Sequence, residues 1–219
     1  TGGLGFIGTN LTQYLLSKKN IKKIIIIDSF QKTSLKNIKS FTKYKYYNSV
    51  TSYKESNNKV SIVKGDIKNS KFALKLTKNI DYIIHLAAES GVDISISEPR
   101  KSFENNVIGA FNYLDACRIN KVKRFIFASS GAVFGDRKPP LTEDMPKQPI
   151  SPYGSSKLTV ETYAETFSNV FGFKATMLRF SNVYGRYSQH KDSVVSNFIK
   201  LANNNNKLTI NGDGNHTRD

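Results

Sequence analysis

The chain has 219 residues, 38% of them hydrophobic, enough to bury a core as one domain or as one domain with part of another. Its single cysteine, Cys117, excludes an internal disulfide, its three scattered histidines spell no metal site, and no apolar run reaches the length of a membrane span or follows a charged leader. The formal charge of +16 would suit a polyanion, yet Lys and Asn recur along the whole chain, as at Lys18 to Asn20 and Asn203 to Lys207. The excess therefore reads as compositional bias. No nucleic-acid or membrane partner is expected, attraction for an anionic small ligand is the milder reading, and a reducing cytoplasm fits best.

Taken in order, short runs of Ile, Val and Phe alternate with longer helical stretches, the pattern of a parallel sheet covered on both faces. A helix is expected over 6–18, a strand over 22–28 and a strand over 60–65. A helix over 71–78 and a strand over 81–87 follow, then a helix over 99–120 and a strand over 122–129. A helix over 152–171 and a strand over 174–180 complete the pattern. The class is α/β. Residues 31–58 show no clean period, and their Tyr44, Tyr46, Tyr47 and Tyr53 read as a surface insertion between strands. The Gly-rich turn at 2–8 should itself follow a strand, so a central strand is expected ahead of Thr1.

Gly2, Gly5 and Gly8 stand three apart in Thr-Gly-Gly-Leu-Gly-Phe-Ile-Gly, and Gly3, Gly5 and Gly8 satisfy the common dinucleotide spacing as well. Without Cβ atoms the backbone can turn tightly and approach a diphosphate, with the positive end of the following helix, at Phe6 and Ile7, aimed at the anion. Asp28 lies twenty positions after Gly8 at the end of an Ile-rich strand, where a carboxylate accepts hydrogen bonds from a ribose and repels a 2′-phosphate. NAD is therefore expected over NADP. Asp66, and the run Leu86-Ala87-Ala88, also end predicted strands, where open α/β sheets place ligands. His85 reads as a structural histidine more than a catalyst.

Tyr153 and Lys157 are four apart in Ser-Pro-Tyr-Gly-Ser-Ser-Lys, so on a helix they share a face. Ser151 suits the N-cap, Pro152 the first helical position, and Gly172 the stop. An ammonium beside a phenol favours the phenolate, which turns a tyrosine into a usable base. Ser130, closing a strand with Ser129, brings a hydroxyl to the same edge. Tyr-x-x-x-Lys also arises by chance on helices, and paired serines often mark turns; the coincidence downstream of a nucleotide cradle shifts the balance.

With these segments on the page, the sequence closely resembles the NAD-dependent epimerase/dehydratase family, and within it the UDP-glucose 4-epimerase-like members. The resemblance spans essentially the whole chain. It rests on the Gly-rich opening, Gly65-Asp66-Ile67, His85-Leu-Ala-Ala, Asn105-Asn-Val-Ile-Gly, Ala128-Ser-Ser-Gly-Ala-Val-Phe-Gly, Ser151-Pro-Tyr-Gly-Ser-Ser-Lys, Leu178-Arg-Phe-Ser-Asn-Val-Tyr-Gly and Asn211-Gly-Asp-Gly-Asn-His-Thr-Arg-Asp. It implies a Rossmann-type doubly wound parallel sheet over 1–178, lacking its first strand, and the beginning of a smaller substrate domain over 179–219. It also implies NAD contacts from Gly2, Gly5, Phe6, Ile7, Gly8, Asp28, Asp66, Ile67, Leu86, Ala87, Ala88, Tyr153 and Lys157, with Asn105 or Asn106 beside the nicotinamide. Ser130 and Tyr153 would touch the sugar, Asn182 a phosphate of the sugar nucleotide, and Arg218 its diphosphate. A homodimer through helices 99–120 and 152–171 is implied by analogy alone.

The chemistry so implied is reversible oxidation at C4 of a UDP-sugar through a 4-keto intermediate, with Tyr153, Lys157 and Ser130 catalytic and no metal. Related 4,6-dehydratases carry an Asp-Glu pair after the strand-end hydroxyl; here those places are Gly131 and Ala132, neither able to transfer a proton. Phe134 and Ser181 stand where many members have tyrosine and phenylalanine. A nucleotide-sugar dehydratase or reductase, and a non-catalytic NAD-sensing module, stay as alternatives.

Overall fold

The computed structural model describes residues 1–188, 193–210 and 212–215. Among the described residues, six strands form two three-stranded parallel sheets. The first contains β1 (Ile24–Asp28), β2 (Lys45–Tyr47) and β3 (Val60–Lys64) in the order β1-β3-β2. The second contains β4 (Tyr82–His85), β5 (Arg124–Ser130) and β6 (Lys174–Phe180) in the order β4-β5-β6. Thr1 and Gly2 join them: Gly2 N–H donates to Ile27 O at 2.8 Å and Leu86 N–H to Thr1 O at 3.1 Å. These two residues thus run between β1 and β4, in line with the strand expected ahead of the Gly-rich turn.

The strands are apolar on both faces because helices cover both. Ile26 and Ile62 pack with Leu4 and Ile38 on one side. Ile27 and Val63 point the other way into the larger core, with Phe125, Phe127, Tyr113, Leu114 and Val160. The covering helices are α1 (Phe6–Leu16), the single turn α2 (Lys36–Lys39), α3 (Ser70–Leu76), α4 (Val92–Ser97), α5 (Pro99–Phe103), α6 (Gly109–Asn120), α7 (Pro152–Phe171) and α8 (Val194–Asn203). Between α5 and α6 runs a π-helical turn, Glu104–Ile108.

Strand β6 and helix α7 fall on their expected bounds, and the other expected elements differ by a few residues at their ends. Three readings are corrected. Residues 31–58 are not only a surface insertion: β2 pairs in parallel with β3, Tyr46 opposite Ile62, because backbone bonding to an apolar neighbour stabilises an edge strand with little pattern of its own. Helix α4, six residues long, lacks the length that makes helical periodicity visible. The expected continuous helix over 99–120 is broken by the π turn.

Candidate active site

Among the described residues, the Gly-rich turn, the segments that follow β1, β3, β4 and β5, and the start of α7 lie toward the carboxyl ends of the strands. Gly2 has φ +66, and a Cβ there would stand 2.7 Å from Ala87 N; one on Gly8 would stand 2.5 Å from Gly3 Cα. Both contacts are to backbone, so no side chain can be accommodated by rotation. The turn delivers the chain into α1, whose N-cap, Gly5, offers no side-chain cap and whose first turn has no acidic residue. An eleven-residue helix therefore presents its positive end here, with Phe6 buried and Ile7 half-buried and no carboxylate of its own first turn to offset it. Asp28, buried at the end of β1, accepts the Leu4 N–H on one carboxylate oxygen (3.1 Å) and the Phe30 N–H and Thr33 hydroxyl on the other (3.1 and 2.8 Å). The carboxylate is thereby fixed against the glycine turn. This combination suits a dinucleotide: diphosphate at the helix end, ribose at the carboxylate.

Asp66, half-exposed, accepts the Lys68 N–H at 2.9 Å, and Ile67 is buried under α6, where a Cβ on Gly109 would meet its side chain at 2.5 Å. Leu86, Ala87 and Ala88 line the exit of β4, with Ala87 N–H toward the Thr1 hydroxyl at 3.4 Å. The π turn separates the two asparagines. Asn106 is buried; its amide oxygen accepts Glu89 N–H at 2.7 Å and its nitrogen donates to Glu89 O and to the Ser156 hydroxyl, both at 3.0 Å. Asn105 donates to Lys101 O on its own helix at 3.0 Å. The β4 loop and helix α7 are thus tied through Asn106. Glu89, buried, holds Lys32 and lies 3.8 Å from the Lys101 ammonium.

Helix α7 begins as its sequence demands. The Ser151 hydroxyl accepts Gly154 N–H at 3.1 Å, Pro152 occupies the first turn, and Gly172 ends the helix at φ 77. Gly154 is required, since its Cβ would meet Ala132 O at 2.5 Å; the helix therefore presses on the Gly131–Phe134 turn that follows Ser130. Sequence reasoning missed Ser95 of α4, whose hydroxyl accepts the Tyr153 N–H at 3.0 Å. The Ser156 hydroxyl donates to Tyr153 O at 2.7 Å, so the tyrosine's peptide is held from both sides.

Tyr153, Lys157 and Ser130 do converge. Lys157 is buried, donates to Ala128 O at 2.8 Å, and stands 5.6 Å from the Tyr153 ring centroid. Burial pushes its ammonium down to about 8. Burial also raises the Tyr153 phenol, opposed by the facing Ser130 hydroxyl acting as a hydrogen-bond partner. Ser130 is thus the group that faces the phenol directly, while Lys157 makes its nearest contact with the β5 backbone.

Ser129 faces the opposite way from Ser130, as alternation along a strand requires. It donates to buried Glu161 at 2.5 Å, and Glu161 receives Arg179 at 2.8 Å. This network joins α7, β5 and β6. Its only sequence signal is that Glu161 follows Lys157 by the same four residues that separate Lys157 from Tyr153. His85 is buried, its Nδ1 3.0 Å from the Thr1 hydroxyl; burial first, then the positive charge of Lys157, holds it well below its ordinary range. A neutral, inaccessible imidazole fits a structural role. Asn182 is exposed after β6, and Arg218 lies outside the described residues. No group of three or more His, Cys, Asp or Glu able to hold a metal occurs among the described residues, and no helix there is long and apolar enough to cross a membrane.

A glycine turn feeding a helix with no side-chain cap, a buried carboxylate fixed beside that turn and a Ser–Tyr–Lys set at one sheet edge mark a dinucleotide-binding type of α/β protein with a short-chain-dehydrogenase type of site. Comparison with known proteins makes this specific. The model of the NAD dependent epimerase/dehydratase family matches residues 1–219, and the chain belongs to that family. A Methanocaldococcus jannaschii protein provisionally named UDP-glucose 4-epimerase is 34% identical over all of this chain and 67% of its own length. The dTDP-D-glucose 4,6-dehydratase of Dictyostelium discoideum is 32% identical over all of this chain and 50% of its own. Among solved structures, the Bacillus cereus UDP-glucuronic acid 4-epimerase in complex with UDP-glucuronic acid and NAD has a TM-score of 0.81 at 31% identity, covering all of this chain and 66% of that one. The chain thus spans between half and two thirds of the length of these relatives.

Proposed function

We propose that this chain carries the cofactor-binding and proton-transferring part of an NAD-dependent 4-epimerase acting on a UDP-sugar. The observation that carries the reading is the convergence of Tyr153, Lys157 and Ser130 beside a Gly131–Phe134 turn that brings no acid or base at positions 131 and 132. Epimerisation at C4 needs one group to move a proton on and off one hydroxyl; elimination across C5 and C6 needs a further acid and base. When bound, NAD supplies the hydride acceptor and a positive charge that favours the phenolate. Gly2, Gly5, Gly8 and the start of α1 hold its diphosphate, and Asp28 its adenosine ribose. Asp66, Ile67 and Leu86 to Ala88 border it, and Asn106 fixes that border.

Tyr153 takes the C4 hydroxyl proton, with Ser130 bridging phenol and sugar, and returns it after the keto sugar has turned over. Lys157 keeps positive charge beneath the phenol. Residues 179–219 form the beginning of the sugar-nucleotide-binding part, with Asn182 on a phosphate and Arg218 on the diphosphate. The exposed apolar side chains of the helices, among them Phe103, Phe111 and Tyr163, support a homodimer through α5, α6 and α7.

The dehydratase relatives make dehydration the second reading, and a deuterium label at C4 of the substrate separates the two. Epimerisation keeps the label at C4, whereas dehydration delivers it to C6; a label found at C6 overturns the proposal.

A further inference from the structure

Opposite the edge that carries Tyr153, where β4, β5 and β6 begin and α6 and α7 end, lies a hollow of about 430 Å³. Its floor includes buried Cys117, Val122 and Phe173, and its rim carries Arg118, Lys121, Lys123, Arg124 and Lys174. Composition does not account for that rim. Lys and Arg are 33 of the 219 residues, about one in seven, yet they supply five of the eleven that line the hollow, and no Asp or Glu lines it.

Two of the five are paired, Lys123 with Asp81 at 2.7 Å and Arg118 with Asp115 at 2.6 Å. Lys121, Arg124 and Lys174 have no ion-pair partner among the described residues. The bland explanation is that cations gather where helices end. Each helix C-terminus carries roughly half a negative charge, so α6 and α7 together offset about one of the three, and about two positive charges are left facing the hollow. Beside them Tyr82 is 57% exposed, while Phe171 already has the Arg118 guanidinium over its face at 5.3 Å. An open aromatic face next to uncompensated cations is what a base joined to phosphates requires, and the volume falls within the usual range of small-ligand sites.

We propose that this hollow binds a nucleotide, its phosphates on Lys121, Arg124 and Lys174 and its base against Tyr82, at a second site remote from the catalytic edge. The proposal is independent of which sugar chemistry the chain performs. Because the glycine turn also takes nucleotides, the test must resolve the two places: amide hydrogen exchange is followed over 121–124 and 172–175, and separately over 2–8, while the protein is titrated with ATP or with inorganic tripolyphosphate.

ATP is expected to protect 121–124 and 172–175 at lower concentration than tripolyphosphate. The triple variant Lys121→Asn, Arg124→Gln, Lys174→Gln should need about tenfold more ATP or beyond for the same protection, with protection over 2–8 unchanged. Asn is chosen because position 121 has φ 54. Should the triple variant not fold, Lys174→Gln alone, on an exposed strand start, must move the ATP requirement the same way by a smaller factor. Tyr82→Leu should weaken ATP and leave tripolyphosphate unchanged. Protection confined to 2–8, equal affinity for ATP and tripolyphosphate, or indifference to the charge-removing variants would each overturn the proposal.

Discussion

Replacing Lys157 by Met is expected to stabilise the protein while disabling its site. Burial takes the Lys157 ammonium from 10.5 to about 8. One step in pKa is worth about 1.4 kcal/mol, so keeping the charged form at pH 7 costs the folded state roughly 3 kcal/mol. Methionine preserves the packing on Phe127, whose ring centroid is 4.8 Å from the ammonium, but leaves Ala128 O without its 2.8 Å donor, which offsets about 1 to 2 kcal/mol. A net gain of about 1 to 2 kcal/mol at pH 7 follows.

The sign reverses with pH in a defined window. The folded protein releases the lysine proton near 8 and the unfolded chain only near 10.5, so between those values the unfolded state binds more protons and wild-type stability rises. The advantage of Met is full below about pH 8 and fades toward 10.5. Urea unfolding of both proteins at pH 7 and pH 10 measures it, and turnover should fall about a hundredfold or more. A Met variant less stable than wild type at pH 7, or a gap that does not shrink on raising the pH, would refute the reasoning.

Four further outcomes are expected. Tyr153→Phe should lower turnover by about a hundredfold or more and leave NAD affinity within a fewfold, measured by steady-state kinetics and titration. Gly8→Ala places a Cβ 2.5 Å from Gly3 Cα and 2.7 Å from Gly2 O; thermal unfolding should show a loss of about 2 kcal/mol or more, with NAD binding weakened in parallel. Asn106→Ala, which strands buried partners on Glu89 and Ser156, should cost about 2 kcal/mol or more, whereas Asn105→Ala should stay within about 0.5 kcal/mol; urea midpoints compare the two. Glu161→Gln removes a carboxylate whose side chain is 5% exposed from an Arg179 that is 20% exposed, and should destabilise by about 3 kcal/mol in the same assay.

Why some of this was legible in the sequence and some was not follows from the range of the interactions. Helix α7 carries its own start and stop in Ser151, Pro152 and Gly172, and the face shared by Tyr153 and Lys157 is a local consequence of spacing. Asp28 is placed by strand length alone. Strand β2 exists through its register with β3, which pairs Tyr46 with Ile62 sixteen positions away by no sequence rule. Which asparagine of the pair 105 and 106 turns inward depends on the π turn, an irregularity that no 3.6-residue period anticipates. Ser95 and Arg179 reach the site from other elements, and only folding brings them there. The balance between Lys157 and Ser130 at the phenol is likewise a matter of burial and distance, which spacing does not encode.

The measurement closest to the central claim is product identification by NMR after the protein is incubated with UDP-glucose, and separately with UDP-N-acetylglucosamine, without added reductant. The C4 epimer of either sugar, formed with no net consumption of NAD, is the predicted result. A 4-keto-6-deoxy product, or no conversion of either sugar while NAD stays bound, would contradict the account.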